Sequence, residues 1–219
     1  MKTLKRELRH IQFLHEQGGA RKILDHVKEN VVFDLEYGTS TSPWLDKDDF
    51  VERPHNFEHG VKYRASATNE ILPALSKVAE IIDVQKAGFY DLGCGKGKVL
   101  CITGRDYDYS EIAGVDYYAP FLQIARKNLK VFGLNCINLC YGNMSEYKSF
   151  KETSVIYLYN PAEKPIIEKV RENLENITKK AIVIYNKPVH GDVFEGWDVI
   201  SHKSNNDPDH NTDIYCFEK

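Results

Sequence analysis

The chain has 219 residues, of which 42% are hydrophobic and 28% charged, so it can bury a core and has an ordinary globular composition. Its formal net charge of −3 gives no global field that would attract nucleic acid. The basic N-terminus lacks the apolar segment of a signal peptide, no apolar run could span a bilayer, and the five cysteines form no Cys-x-x-Cys pair. We therefore expect a cytoplasmic protein with reduced thiols, no metal site and no membrane partner.

The first part of the chain predicts a helical extension over residues 1–85. Apolar side chains recur at helical spacing over residues 4–14, and a second stripe runs over residues 23–31. Gly18 and Gly19 lie between the stripes and should interrupt the helix there. Two helices that meet at this glycine pair are therefore expected.

A polar stretch without periodicity follows over residues 38–60 and predicts a long loop, of the length that is usually functional or disordered. It contains His55 and His59, the only histidines that we would test for a role in a site. A further helix is expected over residues 67–82, with Pro73 near its first turn because proline has no N–H to donate inside a helix.

From residue 86 to residue 219, short apolar runs alternate with amphipathic helical stripes. This alternation predicts a parallel sheet that helices cover on both faces. The last two strand-like runs are joined only by a polar loop, so they must pair antiparallel. The expected strands cover residues 88–92, 112–116, 137–141, 155–159, 181–185, 197–201 and 212–217.

A glycine-rich turn follows the first predicted strand, and it is the most informative motif of the chain. The turn has the pattern Asp-x-Gly-x-Gly-x-Gly, with Asp91, Gly93, Cys94, Gly95 and Gly97. Because glycine has no Cβ, such a turn can bring backbone N–H groups close to a ligand. Its spacing differs from the Gly-x-Gly-x-x-Gly of dinucleotide-binding turns.

Asp116 closes the next predicted strand, and together with the glycine turn it resembles motif I and the ribose-binding acid of class I S-adenosylmethionine-dependent methyltransferases. The resemblance covers roughly residues 30–190 and is strongest to small bacterial members of unassigned substrate. It implies an α/β Rossmann-like sheet of five parallel strands plus an antiparallel C-terminal hairpin. Residues 1–85 would then form a helical extension with a lid loop, and residues 86–219 the catalytic domain.

The resemblance also implies roles for single residues around the cofactor. The glycine turn with Cys94 would approach the amino acid part, and Asp91 would help to hold its ammonium group. Asp116 has two acceptor oxygens for the two ribose hydroxyls. Tyr117 could pack against the adenine edge.

Two further segments extend the likeness. Asn143 would read the adenine amino group through its carbonyl oxygen, and Met144 would pack beneath the ring. Upstream, the pattern Gly60-x-x-Tyr63-x-x-Ser66 implies that Tyr63 contacts the cofactor and that the loop 38–60 folds over the site. The alternative is that Tyr63 only packs before the following helix.

The fourth predicted strand ends in Asn160 and Pro161, which resemble the Asn-Pro-Pro-aromatic motif of amino-directed methyltransferases. In that motif an amide oxygen helps to hold the target nitrogen, a role that falls here to Asn160. Ala162 and Glu163 replace the second proline and the aromatic residue. Since flipped bases are stacked against such a surface, a nucleic-acid adenine is disfavoured as the target. The alternative is that Asn160 caps the next helix.

The sequence therefore predicts an S-adenosylmethionine-dependent methyltransferase acting on a nitrogen of a protein lysine or a small amine. Asn160 and a nearby tyrosine, Tyr37 or Tyr159, could orient such an amine. Two alternatives stay open: a noncatalytic protein that binds S-adenosylmethionine, and an NAD-dependent oxidoreductase, which the glycine spacing and the terminal hairpin disfavour.

Overall fold

The computed structural model describes residues 2–43, 63–204 and 210–219 of the chain. His55 and His59, most of the predicted loop and the connection 205–209 lie outside the described residues. Within the described part, no helix is long and apolar enough to cross a membrane, and no cluster of three potential metal ligands occurs.

A seven-stranded sheet forms the centre of the fold, with strand order β3-β2-β1-β4-β5-β7-β6. The first five strands run parallel, and β7 pairs antiparallel with both β5 and β6. The predicted sheet and its terminal hairpin are thus confirmed. The strands are β1 (Gly88–Leu92), β2 (Glu111–Asp116), β3 (Asn138–Tyr141), β4 (Thr153–Tyr159), β5 (Lys180–Asn186), β6 (Asp198–Lys203) and β7 (Thr212–Glu218).

Helices cover both faces of the sheet, as the alternating pattern predicts. They are α1 (Lys2–His26), α2 (Val32–Tyr37), α3 (Thr68–Ala79), α4 (Lys98–Asp106), α5 (Ala119–Val131) and α6 (Lys164–Ile177). Successive residues of a strand face opposite sides, so Phe89 and Tyr90 of β1 enter different apolar clusters. The first cluster contains Ile71 of α3 and Leu100 of α4, and the second contains Ile167 of α6.

The N-terminal helix is interrupted where the glycine pair predicts. Gly18 (φ −177°, ψ 24°) and Gly19 (φ 63°, ψ −153°) have non-helical backbone inside α1. A π-helical turn, Val27–Val31, then leads into α2. Phe33 of α2 is buried and joins the first apolar cluster, so the extension packs against the sheet domain.

Pro73 lies deeper in its helix than we expected. It is the sixth residue of α3, beyond the first turn in which proline costs little. A proline inside a helix costs about 3 kcal/mol. Ile71 and Leu75 are fully buried on the same helix. Burial of each is worth about 1.5–3 kcal/mol, which offsets the cost and lets the helix continue through the proline.

Candidate functional site

An open cavity, with about 670 Å³ of empty space when the part open to solvent is included, lies at the carboxyl ends of β1, β2 and β4. β1 has β2 on one side and β4 on the other, so the strand order reverses here, where open α/β sheets bind their ligands. The cavity is lined by Tyr63, Arg64, Ala65, Ser66, Asp91, Gly93, Cys94, Lys98, Val99, Asp116, Tyr117, Phe121, Met144, Tyr157, Tyr159 and Pro161.

The glycine turn after β1 takes a shape that other residues would strain. Gly93, Gly95 and Gly97 all have positive φ, at 91°, 52° and 79°. A Cβ on Gly95 would lie 2.4 Å from Cε2 of Tyr63, and one on Gly93 would lie 2.7 Å from Cβ of Pro161. The turn therefore fits closely between the two segments that flank the cavity.

The N–H groups of this turn are already used inside the protein. Gly93 and Cys94 both donate to the carbonyl of Val115, at 2.8 and 3.0 Å, and Gly97 donates to the carbonyl of Cys94 at 2.8 Å. Gly95 donates to Oδ2 of Asp116 at 2.8 Å. These four N–H groups therefore already have acceptors within the protein. The turn instead supplies a narrow surface without side chains, anchored on β2.

Asp116 is buried at the end of β2 with both oxygens facing backbone donors. Oδ2 accepts from Gly95 and Oδ1 accepts from the N–H of Tyr118, each at 2.8 Å. Burial raises the pKa of Asp116 to about 6, although these two hydrogen bonds act in the opposite direction. A carboxylate oxygen can accept more than one hydrogen bond, so both oxygens retain capacity for ligand hydroxyls.

Asp91, the last but one residue of β1, forms the second acid of the cavity. Its exposure is 4%, and burial, followed by the negative charge of Asp116, raises its pKa well above the ordinary value. Two desolvated carboxyl groups in one cavity favour a ligand that brings positive charge, because a nearby cation stabilises their ionised forms.

Tyr63 forms part of the opposite wall. Its hydroxyl donates to the carbonyl of Thr41 at 2.8 Å, and its ring packs on Phe121 with a centroid separation of 4.6 Å. The ammonium of Lys96 lies 4.6 Å from the centre of the same ring. Tyr63 thus both lines the cavity and packs against its neighbours, so the two interpretations of this residue are compatible.

Asp34 organises the segment that Tyr63 contacts. Its carboxylate accepts hydrogen bonds from the hydroxyls of Thr39 and Thr41 and from the N–H groups of Thr41 and Ser42, at 2.7–2.9 Å. Burial alone would raise the pKa of Asp34, but the hydrogen bonds from Thr39, Ser42 and Thr41 outweigh it and lower the pKa. Lys96 also donates to the carbonyl of Pro43. The described start of the predicted loop is therefore fixed beside the glycine turn.

Asn160 stands directly after β4 with a left-handed backbone, at φ 36°. Its Oδ1 is buried and accepts no hydrogen bond within the described part of the chain. The residue at the N-cap position of α6 is Glu163, and within the described residues this position has no side-chain capping hydrogen bond. The structure therefore does not support the alternative that Asn160 is a helix cap.

Asn143 has a local role in the structure. Its Oδ1 accepts from the N–H of Ser145 at 3.0 Å and caps the short 3₁₀ turn Met144–Glu146. Short asparagine side chains favour such contacts with their own backbone. The oxygen that we assigned to the adenine amino group is thus engaged locally, while the neighbouring Met144 lines the cavity.

The structure brings most of the predicted cofactor residues to one cavity. Asn143 and Asn160 lie outside its lining, as do Gly95 and Gly97. Tyr37 also lies outside and packs on Phe33 and Phe132. Tyr159, the other tyrosine predicted to orient an amine, lines the cavity. The predicted cofactor residues that line it are Tyr63, Asp91, Gly93, Cys94, Asp116, Tyr117 and Met144.

Sequence reasoning assigned no role to several lining residues, among them the polar residues Ser66, Lys98 and Tyr157. Ser66 ends the upstream motif and could have been assigned from that position. Tyr157 appears as an ordinary strand residue, although its hydroxyl accepts from Nδ2 of Asn186 at 2.6 Å. Lys98 follows the glycine turn, where a lysine would normally be taken for a solvated side chain.

Comparison with known proteins identifies the fold. No family model and no curated protein matches the chain. An RNA methyltransferase from Salinibacter ruber, solved with S-adenosyl-L-homocysteine, matches with 17% identity and a TM-score of 0.52 over 70% of this chain and 92% of that chain. A rRNA methylase from Streptococcus thermophilus matches with 13% identity and a TM-score of 0.51 over 71% and 99%. MtNAS, solved as a variant with S-adenosylmethionine, matches with 14% identity and a TM-score of 0.53 over 68% and 62%. The chain thus has the Rossmann-like fold of class I methyltransferases.

Proposed function

We propose that this chain is an S-adenosylmethionine-dependent methyltransferase that acts on a nitrogen nucleophile. The observation that carries the proposal is the pairing of two features at one edge of the sheet. Asp91 and Asp116 provide buried acids in a cavity at the strand-order reversal. Directly after β4, Asn160 places a buried Oδ1 that accepts no hydrogen bond from the described residues.

The residues present fit S-adenosylmethionine. The cofactor carries a sulfonium and an ammonium group, which suit a cavity with two carboxyl groups of raised pKa. Its two ribose hydroxyls suit the remaining acceptor capacity of Asp116. Tyr117 and Met144 offer an aromatic and a thioether surface for the adenine ring.

When bound, S-adenosylmethionine supplies an electrophilic methyl group on its sulfonium, and the sulfur leaves as an uncharged thioether. The chain then has to orient the acceptor and exclude water. Asn160 can accept one N–H of an amine through Oδ1 and so direct the nitrogen lone pair toward the cavity. Tyr159 and Pro161, the neighbours of Asn160, line that cavity. Among the described residues the lining contains no histidine or glutamate, and its two acids are assigned to the cofactor, so we expect the amine to enter in its neutral form.

A protein lysine or a small amine is the acceptor class that we favour. The segment after Asn160 and Pro161 has no aromatic residue to stack on a flipped base, and the net charge is −3. RNA is the second candidate, because two structural neighbours are described as RNA and rRNA methylating enzymes. These neighbours leave the expectation against nucleic acid open.

Calorimetric titration with S-adenosylhomocysteine tests the cofactor, with NAD as the comparison ligand. We expect binding of S-adenosylhomocysteine and none of NAD; the reverse result would favour an oxidoreductase. Transfer of a labelled methyl group to amines, lysine peptides and RNA then tests the acceptor. Binding without transfer to any of the three would favour the noncatalytic alternative.

A further inference from the structure

The helix that follows the glycine pair has an exposed apolar face. It covers residues 20–37, from the end of α1 through the π-helical turn into α2, and we call it the arm helix. Leu24, Val27, Val32 and Leu35 are exposed on it, at 67%, 40%, 45% and 79%. None of the four belongs to an apolar cluster of the described residues. Single exposed apolar residues are common, whereas several on one surface indicate an interaction site.

The opposite face of the arm helix is already used inside the molecule. Phe33 is buried in the first apolar cluster, and Asn30 is buried as well. The carboxylate of Asp34 accepts from the N–H groups of Thr41 and Ser42. The arm helix is therefore fixed to the rest of the chain by one face, which leaves the apolar face directed toward solvent.

The π-helical turn helps to keep the four apolar residues on one face. Leu24 and Val32 are eight residues apart, and so are Val27 and Leu35. In an ideal α-helix eight residues overshoot two turns by about 80°. The turn Val27–Val31 is wider and rotates less per residue, which reduces this offset. The apolar face therefore runs along both halves of the arm helix.

The apolar face is symmetric in sequence. Leu24 and Leu35 are equally far from the midpoint between positions 29 and 30, and so are Val27 and Val32. A two-fold axis through that point would place Leu24 opposite Leu35 of a second copy, and Val27 opposite Val32. A dimer interface with two-fold symmetry needs such a self-complementary patch.

The charges at the two ends of this face fit the same axis. Arg21 is exposed near the start of the arm helix, and Glu36 is exposed near its end. Antiparallel pairing would bring Arg21 of each copy near Glu36 of the other, whereas parallel pairing would place like charges together. Glu36 also accepts a hydrogen bond from the hydroxyl of Tyr37, and a carboxylate has capacity for a further donor.

The two other exposed charges of the arm helix are Asp25 and Lys28. About the same axis, Lys28 falls opposite Val31, an apolar residue. Asp25 falls opposite Asp34, whose carboxylate accepts hydrogen bonds from its own segment, such as that from the hydroxyl of Thr39 at 2.7 Å. The exposed charges therefore favour the antiparallel order.

We propose that the arm helix pairs antiparallel with the arm helix of a second copy of this chain, which gives a two-fold symmetric dimer. The four apolar side chains form the centre of the contact, and Arg21 and Glu36 pair at both ends. This surface is separate from the cavity, so the inference does not depend on the proposed function.

Sedimentation velocity of the full chain over a range of concentrations tests the dimer. We expect the mass of two chains at micromolar concentration. Leu35→Glu should weaken the dimer about 100-fold or more, because each dimer would then bury two added carboxylates. Val199→Glu is the matched control, since Val199 is also exposed, at 61%, but lies on the edge strand β6. It should leave the dissociation constant unchanged.

Charge reversal tests the antiparallel order. Arg21→Glu and Glu36→Arg should each weaken the dimer about tenfold, because two pairs of like charge then meet in every dimer. The variant with both reversals should regain the affinity of the wild type, since each pair again has opposite charges. Circular dichroism and thermal denaturation check that all variants are folded.

Several outcomes would overturn the inference. A wild type that stays monomeric over the whole range has no such dimer. If Leu35→Glu dimerises like the wild type, or if Val199→Glu weakens the dimer equally, the interface lies elsewhere. If the double reversal fails to regain affinity, the arm helices do not pair antiparallel. Titration with S-adenosylhomocysteine is a separate measurement, so each of these results leaves the proposed function untouched.

Discussion

The two walls of the cavity are built in different ways. The strand-end wall, formed by the turns after β1, β2 and β4, is fixed by backbone contacts between neighbours, such as Gly93 and Cys94 on Val115. The N-terminal wall, formed by residues 63–66 and supported from behind by residues 34–43, is fixed by side chains that reach across the chain. Tyr63 bonds to the carbonyl of Thr41, for example.

The acids of the two walls also differ, in the direction in which their pKa values are shifted. Asp34, which supports the N-terminal wall, is surrounded by donors, and its pKa is lowered. Asp91 and Asp116 in the strand-end wall have raised pKa values, chiefly because they are buried, and at Asp116 burial outweighs the hydrogen bonds from Tyr118 and Gly95. Asp34 therefore stabilises the fold, whereas the acids of the strand-end wall keep capacity for a ligand. Mutations can test this difference between a structural acid and ligand-binding acids.

The largest effect is expected for Asp116→Ala in the strand-end wall. Loss of the carboxylate should weaken binding of S-adenosylhomocysteine about 100-fold, since charged hydrogen bonds contribute about 1.5–3 kcal/mol. Titration calorimetry measures this, and Asp83→Ala, which removes an exposed carboxylate of the surface, is the control. Unchanged affinity in Asp116→Ala would refute the ribose assignment.

Asp34→Ala should have its main effect on stability. Donors from Thr39, Thr41 and Ser42 would lose their common acceptor, and we expect the free energy of unfolding to fall by about 2–3 kcal/mol. Urea denaturation measures this. The exposed pair of Lys164 and Asp192 supplies the control, because Asp192→Ala should change stability by less than about 1 kcal/mol. Equal effects of both variants would contradict the structural role of Asp34.

Asn160→Gly tests the acceptor side of the strand-end wall. Glycine tolerates the φ of 36° at this position, so the variant removes Oδ1 without adding backbone strain. We expect turnover to fall about tenfold or more while the affinity for S-adenosylhomocysteine is retained. Asn160→Ala serves as a comparison that also strains the backbone. Full activity of the glycine variant would exclude Asn160 from catalysis.

Gly95→Ala tests the contact between the two walls. The added Cβ would meet the ring of Tyr63 at 2.4 Å and would also strain a backbone with φ 52°. The matched control is Gly133→Ala, which has φ 72° but no atom within 4 Å of the new Cβ. Strain alone should cost about 1–2 kcal/mol in both, and Gly95→Ala should lose additional stability in thermal denaturation. Equal losses would mean that Tyr63 moves aside freely.

The sequence predicted the strand-end wall better than the N-terminal wall, for a physical reason. Strand periodicity, glycine turns and acids at strand ends are local signals, and they located all seven strands and the cavity that contains Asp91 and Asp116. Side chains that bond across the chain leave no such signal. Lys98, held by Glu29 and Asn30, and Asn143, which caps its own turn, could be assigned only from the structure.

The smallest expected effect is a pH dependence that separates the two walls. The folded-state pKa of Asp116 is about 6, above the ordinary value of 3.8. Between pH 3.8 and pH 6, Asp116 is therefore mostly protonated in the folded apoprotein and mostly ionised in the unfolded chain. Lowering the pH from 7 to 5 should therefore stabilise the wild type relative to Asp116→Ala by about 1 kcal/mol. Asp34 has a lowered pKa, so its contribution is fully present above its ordinary value and is lost only at more acidic pH. Urea denaturation of the wild type, Asp116→Ala and Asp34→Ala at pH 7 and pH 5 measures these changes in stability.

If the stability gap between the wild type and Asp116→Ala stays constant between the two pH values, Asp116 has no raised pKa in the apoprotein. Its carboxylate would then be compensated within the fold, as that of Asp34 is.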